Sequence, residues 1–406
     1  SAASDVYKRQ NCNSAMGNSA LKCNSTGINN SAMGVNALFN NTIGNNNSAV
    51  GVNALFSNTT GSCNSAVGVG ALYCNTYGNY NSAAGSYALY TNTTGNCNTA
   101  VGYAALYSNT VGISNIAVGV NALCSNTTGS YNIAVGFQAL LCNTTGSSNS
   151  AIGYMALQYN STGSYNSAMS MYALNSNTTG SGNSALGYMA LYCNTGGTNN
   201  IAVGMNALKC NTTGSNNTAN GYCALYCNNA SNTTAIGAQS LANNTTGYGN
   251  TATGYQSLCG NTTGNLNSAF GCGALKSNIT GNYNTAIGYT SLVSNTIGSN
   301  NVSVGGQSLF NNTTGGWNTA IGNNAMYNNT TGFCNTAFGY SALQSNTTGS
   351  GNTAVGLMAM NWSTTGSSNT ANGYRALYNN TTGAGSVAIG YCALYNSNAT
   401  GNNIAI

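Results

Sequence analysis

Apolar residues return along this chain at a spacing that suits neither a helix nor a plain alternating strand. Counted from Asn13, one pattern recurs every 17 residues, at Asn30, Asn47, Asn64 and Asn81 and onward to Asn217. The coil Asn217 to Asn232 is one residue short, and the 17-step then resumes from Thr233 through Asn250, Asn267 and Asn284 to Asn403. The result is 23 coils and a stub, Asn403 to Ile406, with the consensus N-T-A-V-G-Y-x-A-L-Y-x-N-T-T-G-x-x. Self-similarity at a fixed period is the mark of a repeat architecture. No domain boundary is detectable, so one continuous array over 11–406 is expected.

Column by column, the pattern separates inside from outside. Column 9 is Leu in all but two coils, where Met326 and Met360 stand, and column 3 is Ala except at Ser303; both are packed columns. Column 4 is Val, Ile, Met, Leu or Phe almost throughout, broken by Asn220, Thr253 and Asn372. Column 10 is most often Tyr or Phe but also holds Lys22, Lys209 and Lys276. Lysine is almost never fully buried, so column 10 must reach solvent.

Two segments per coil read as strands: columns 2 to 6, as in Thr99 to Tyr103, and columns 8 to 11, as in Ala105 to Ser108. Turn chemistry bounds both, with Asn-Thr-Thr-Gly after the second, and neither is long enough for a helix. Helical repeats need units of about 33 residues or more. The pattern therefore predicts an all-β fold, a parallel β-solenoid or β-roll of 23 coils with two short strands in each. At about 4.8 Å per coil such an array is on the order of 110 Å long.

Alternation along the first strand puts columns 4 and 6 on one face and columns 3 and 5 on the other. The second face is Ala and Gly, with only Ser170 departing from Gly in column 5. Small residues admit another backbone closely, so both faces are expected to be covered, the Ala/Gly face by another chain. In the short coil the turn Asn228-Asn229-Ala230-Ser231-Asn232 lacks the column 15 Gly. A slip inside a strand would invert every side chain beyond it, so the missing residue is expected to be absorbed in that turn.

Composition narrows the class. Charged residues make up 2% of the chain, and Pro and His are absent. No run approaches eighteen apolar residues, so no membrane-spanning helix is expected. The apolar content argues against disorder. Asp5, Lys8 and Arg9 fall in Ser1 to Gln10, which matches nothing downstream and reads as a non-native or assembly scar. Beyond it stand only Lys22, Lys209, Lys276 and Arg375, and no acidic side chain. Charge so thinly spread provides no patch for nucleic acid and no polybasic anchor.

Catalytic chemistry is missing. General acid–base work needs a titratable group near working pH, and after residue 10 there is no His, Asp or Glu. Serine and cysteine have no adjacent base, and a hard metal has no ligands. Neither an enzyme nor a cofactor is expected.

Three rows remain as candidate sites. Cysteines concentrate in columns 11 and 17: Cys193, Cys210 and Cys227 occupy column 11 of successive coils, where stacked neighbours lie within disulfide reach. Cys12 with Cys23, and Cys63 with Cys74, recur as pairs eleven residues apart that could staple one turn; the alternative is a set of isolated small residues. The odd count of 15 leaves a thiol over. A zinc site of Cys193, Cys210, Cys223 and Cys227 lacks the paired short spacings such sites use, so no metal is expected.

Column 12 begins an Asn-x-Ser/Thr acceptor in 15 coils: Asn24, Asn58, Asn92, Asn126, Asn143, Asn160, Asn177, Asn211, Asn244, Asn261, Asn278, Asn312, Asn329, Asn346 and Asn380. On an exposed turn these would take N-glycans; the plainer reading is turn chemistry. Column 10 supplies an aromatic stripe, Tyr73, Tyr90, Tyr107, Tyr192, Tyr226, Tyr327, Tyr378 and Tyr395. It is either a docking surface or a row of rings lying flat on one another.

The runs Asn-Ser/Thr-Ala-Val/Ile-Gly followed by Ala-Leu resemble the head repeats of trimeric autotransporter adhesins and the repeats of phage tail-fibre proteins, and the likeness extends over the chain after the scar. In those families the repeat forms a left-handed parallel β-roll, often trimeric, that projects from a cell or virion and binds host surfaces. The resemblance thus implies a fibrous, surface-exposed role, although a coil of 17 is longer than the usual adhesin head repeat. The leading expectation is an extracellular or cell-surface structural fibre that self-associates into a filament or homo-oligomer. The alternatives are an adhesin-type module for surface glycans and, below it, an ice-binding solenoid, whose Thr row in column 14 is interrupted by Ile43, Tyr77, Val111, Gly196 and Ile297.

Overall fold

The computed structural model describes residues 12–397 and 401–406; the expected scar at 1–10 lies outside the described residues. Its contacts cluster into two compact units, Ser1–Asn200 and Ile201–Ile406. In the first unit the strands run from β1 (Ser14–Met16) to β11 (Ser184–Leu186), and in the second from β12 (Ile201–Val203) to β24 (Ile404–Ala405). Within a unit neighbouring strands are parallel and in register, Ala32 opposite Ala49 and Ala49 opposite Ala66, for example. No helix occurs among the described residues. Each unit is thus a parallel β-solenoid of 17-residue coils.

The core of a coil is very narrow. Column 3 Ala, column 8 Ala and column 9 Leu fill it, as Ala49, Ala54 and Leu55 do with no exposed surface. So the expected packing of columns 3 and 9 holds, and Lys22 and Lys276 in column 10 do reach solvent. The placement of columns 4 and 6 is corrected. Their large side chains point outward, Val67 being 47% exposed and Val101 41%. Strand alternation sends columns 2 and 4 one way and column 3 the other, and the interior has room only for the alanine. The backbone that comes close to the small residues is the same chain's next coil, not a second chain.

The second expected strand is also corrected. Each coil has one strand, of columns 2 to 4, while columns 6 to 11 form a turn. In that turn columns 7 and 9 are left-handed, Asn53 at φ 57° and Leu55 at φ 52°. A left-handed non-glycine residue costs about 1 kcal/mol or more. Burying a leucine side chain returns about 1.5–3 kcal/mol, so the column 9 Leu holds the turn it strains. The turn is still bonded between coils, Leu55 N–H donating to the Ala71 carbonyl at 2.9 Å and Ser57 N–H to that of Tyr73 at 3.0 Å.

Column 5 requires glycine for two reasons. Gly34 has φ +134°, and a Cβ built on it would lie 2.5 Å from the Gly51 carbonyl oxygen. Ser170 is the exception, at φ 137°. The bonds that receive it are stretched: Gly187 N–H to the Met169 carbonyl spans 3.2 Å, where Gly136 to Val118 and Gly153 to Val135 span 2.8 Å.

The short coil of the second unit behaves as the register argument requires. Strand β13 (Thr218–Asn220) pairs with β14 (Thr234–Ile236) in register, and Ala219, Leu225, Ala235 and Leu241 are all buried. In ordinary coils the N–H groups of columns 13 to 15 converge on one carbonyl of the next coil, as Thr42, Ile43 and Gly44 do on Thr59. Here the Asn229 side chain takes over: its Oδ1 accepts from the N–H groups of Thr212 and Thr213, both at 3.0 Å. The missing residue is absorbed in the turn.

Ser170→Gly should raise the stability of the first unit by about 1 kcal/mol, since a non-glycine residue in such backbone costs about 1–3 kcal/mol and glycine returns some of that as chain entropy. Gly68→Ala should do the opposite and cost more, because its Cβ meets backbone and not a movable side chain. Thermal unfolding followed by circular dichroism at the strand minimum checks both signs.

Candidate functional site

Two asparagine columns, of which the sequence marked column 12 as a glycan acceptor or a turn residue and column 1 only as the start of the repeat, organise the interior. In column 12, Asn58 donates one Nδ2 hydrogen to Asn41 Oδ1 at 2.7 Å and the other to the Gly61 carbonyl at 2.9 Å, while its own Oδ1 accepts from Asn75 at 2.8 Å. In column 1, Asn47 donates from Nδ2 to the same Gly61 carbonyl at 2.8 Å, and its Oδ1 accepts from the backbone N–H of Asn64 at 3.0 Å. The two ladders meet on the column 15 glycine carbonyl. That glycine is needed for space: a Cβ on Gly44 would lie 2.5 Å from Asn41 Oδ1.

This geometry relocates the glycan acceptors. Asn24 is half-buried; Asn58, Asn92, Asn126, Asn143, Asn160, Asn177, Asn211, Asn244, Asn261, Asn278, Asn312, Asn329, Asn346 and Asn380 are buried. They do not stand on an exposed turn. The Nδ2 atom that a glycan would occupy is the ladder's donor. A sequence signal for this existed: Asn41, Asn75, Asn109 and Asn295 keep the asparagine where the Ser or Thr two residues on is absent.

The aromatic stripe is likewise not exposed; all eight tyrosines are half-buried. Phe39, Phe56, Tyr73, Tyr90 and Tyr107 stack in sequence with ring centroids 5.0–5.2 Å apart. Lys22 Nζ caps the stack 5.4 Å from the Phe39 ring. In the second unit Tyr327 stacks on Phe310 at 4.9 Å and Tyr378 on Tyr395 at 5.0 Å, while Lys209 Nζ lies over Tyr226 at 5.6 Å. Tyr192 meets Tyr172 edge-on at 6.2 Å. The ring faces serve one another.

Cys12, Cys23, Cys63, Cys74, Cys210 and Cys227 are free thiols. Cys12 and Cys23 are exposed, Cys63 and Cys74 half-exposed; Cys193 belongs to the first unit, Cys210 and Cys227 to the second. Burial pushes up the Cys74, Cys124, Cys142 and Cys227 thiols, with neighbouring Cys210 and Cys223 adding to the effect at Cys227. Cys259 is raised by burial too, against an opposing pull from Lys276. Thiols held in the protonated form are poor nucleophiles. Among the described residues no three His, Cys, Asp or Glu side chains converge on a metal position.

Columns 2, 4 and 6 form a strip on the outside. In the first unit it exposes Val50, Val52, Val67, Val69, Val101, Tyr103, Val118 and Val120 in rising order along the coils. Fold and surfaces together define a tandem-repeat β-solenoid with an uncharged apolar strip along columns 2, 4 and 6 and a polar interior bonded between coils. No protein-family model matches the chain, and no curated protein does. No helix among the described residues is long and apolar enough to cross a membrane.

The ladder breaks where column 12 changes. At Ser363 the side chain is too short, and both Asn346 Oδ1 and Ser363 Oγ are buried without a partner. Ser363→Asn should close the gap and stabilise the second unit by about 1–3 kcal/mol, the cost of leaving such a group unpaired; urea unfolding measures it. A second outcome concerns pH. With no Asp, Glu or His after residue 10, stability should be flat from about pH 4 to 8. The raised thiols, and Tyr90, raised by burial and then by Cys74 and its ring neighbours, keep their protons longer folded than unfolded. The unfolded chain then binds fewer protons, so stability falls as pH rises through about 8.5 to 10 and beyond. Melting temperatures across that range test the sign.

Proposed function

We propose that the protein is a structural fibre or filament subunit at the cell surface or outside the cell, and that its chains associate side by side through the strip of columns 2, 4 and 6. The observation that supports this is the strip itself. No charged residue stands in those columns in any coil. In the first unit it exposes large apolar side chains in most coils, and exposed apolar patches mark interaction surfaces. A partner with charges there would lose their hydration without compensation, whereas a second copy brings a matching uncharged surface repeated at the same interval. The likeness to adhesin-head and tail-fibre repeats supports the extracellular setting, and three chains is the number that likeness implies. N-glycans on column 12 are not part of this reading, because those amides are already committed to the ladder.

The glycan-binding alternative loses its aromatic platform, since the column 10 rings cover each other. An association test separates the readings. Native material should appear as extended, laterally joined particles by electron microscopy. Val67→Lys with Val118→Lys should dissociate them in sedimentation while leaving the melting temperature within a few degrees, because both sites are exposed. Compact, unassociated wild-type particles would overturn the fibre.

A further inference from the structure

Column 10 of the second unit contains a missing rung. After Tyr226 the next coil offers Ala242, the smallest residue anywhere in that column, and the coil beyond offers Cys259. The result is an open groove of about 290 Å³ lined by Cys223, Tyr226, Gln239, Ala242, Asn243 and Cys259. Elsewhere in the column rings one coil apart stack at 4.9–5.2 Å. The Ala242 level is therefore the place where the next ring of the stack would sit.

We propose that this slot binds a planar aromatic ring carrying one polar edge, of the phenol class, stacked on Tyr226. Size permits it: an apolar cavity of about 150 Å³ already admits benzene. The walls suit a ring, since Ala242 is apolar and the two thiols are soft, polarisable neighbours of a π-face. Lys209 Nζ covers Tyr226 at 5.6 Å, as Lys22 Nζ covers the end ring of the stack in the first unit at 5.4 Å. There the capped ring carries a further ring; at Tyr226 Ala242 supplies none. The rim is polar. Gln239 Oε1 accepts from Gln256 Nε2 at 2.7 Å, so what Gln239 has left to offer a ligand is its own amide N–H, a donor for a phenolic oxygen. The ring could belong to a free small phenol or to a tyrosine of a second copy, and the chemistry is the same.

The test is a fluorine NMR titration of the full chain with 4-fluorophenol, alongside Ala242→Tyr, which supplies the rung, and Tyr226→Leu, which removes the platform. Column 10 accepts tyrosine in coils throughout the chain, so Ala242→Tyr should fold and melt no lower than the wild type. The expected result is saturable broadening of the probe by the wild-type chain, weakened at least tenfold in both variants. If sedimentation also shows smaller assemblies for Ala242→Tyr, the ring is a second copy's tyrosine; unchanged assemblies assign it to a free ligand. Either result stands apart from lateral association through columns 2, 4 and 6, which Val67→Lys reports separately. No saturable broadening by the wild type, or equal broadening by Ala242→Tyr, overturns the proposal.

Discussion

A primary amide has two donors and an acceptor on one planar group, and column 12 uses all of them once per coil. Asn58 gives one hydrogen to the coil before it, one to its own turn, and receives one from the coil after it. No other neutral side chain of that length can do this at the repeat distance of a parallel sheet. The interior of the solenoid depends on that ladder and on its partner in column 1. Both end on the column 15 glycine carbonyl, which fixes the turn to the strand-bearing side of the coil.

The same requirement, that every group superpose on its copy one coil away, accounts for the composition. Two like charges about 4.8 Å apart repel by about 1 kcal/mol even in water, and more when half-buried. A charged column would accumulate that cost at every step, so the columns are filled by Asn, Ser, Thr, Tyr and Cys, whose stacking is neutral or favourable. The three lysines of column 10 obey the rule by standing singly; Lys22 and Lys209 each lie over an aromatic ring. Departures from the consensus are visible as local faults. Ser363 orphans an amide oxygen, and Ser170 stretches the bonds beyond it.

A polar interior that satisfies itself leaves the bulky apolar residues outside, and this links fold to function. The core of a coil is Ala, Ala and Leu, with Met326 and Met360 standing in for the Leu, and the bulky residues of column 4 are left on an outer strip free of charge. That surface favours association between like chains over recognition of a single ligand. The ring column closes in a different way, by stacking on itself where rings follow one another, and beside Ala242 it leaves a groove.

The period, the parallel solenoid class, the burial of columns 3 and 9 and the silent absorption of the short coil were all legible in the chain, because each follows from spacing that repeats 23 times. Which way a bulky residue faces was not, because alternation states only that columns 3 and 4 are opposed; the volume enclosed by 17 residues decides that the alanine goes in. Likewise a run such as Ala105 to Ser108 reads as a strand, and only the left-handed backbone at Ala104 and Leu106, tolerated because Leu106 is fully buried, makes it a turn. The asparagines were read through the local motif that follows them. Their role lies in a partner 17 residues away, a distance at which only the closed coil brings one amide onto the next.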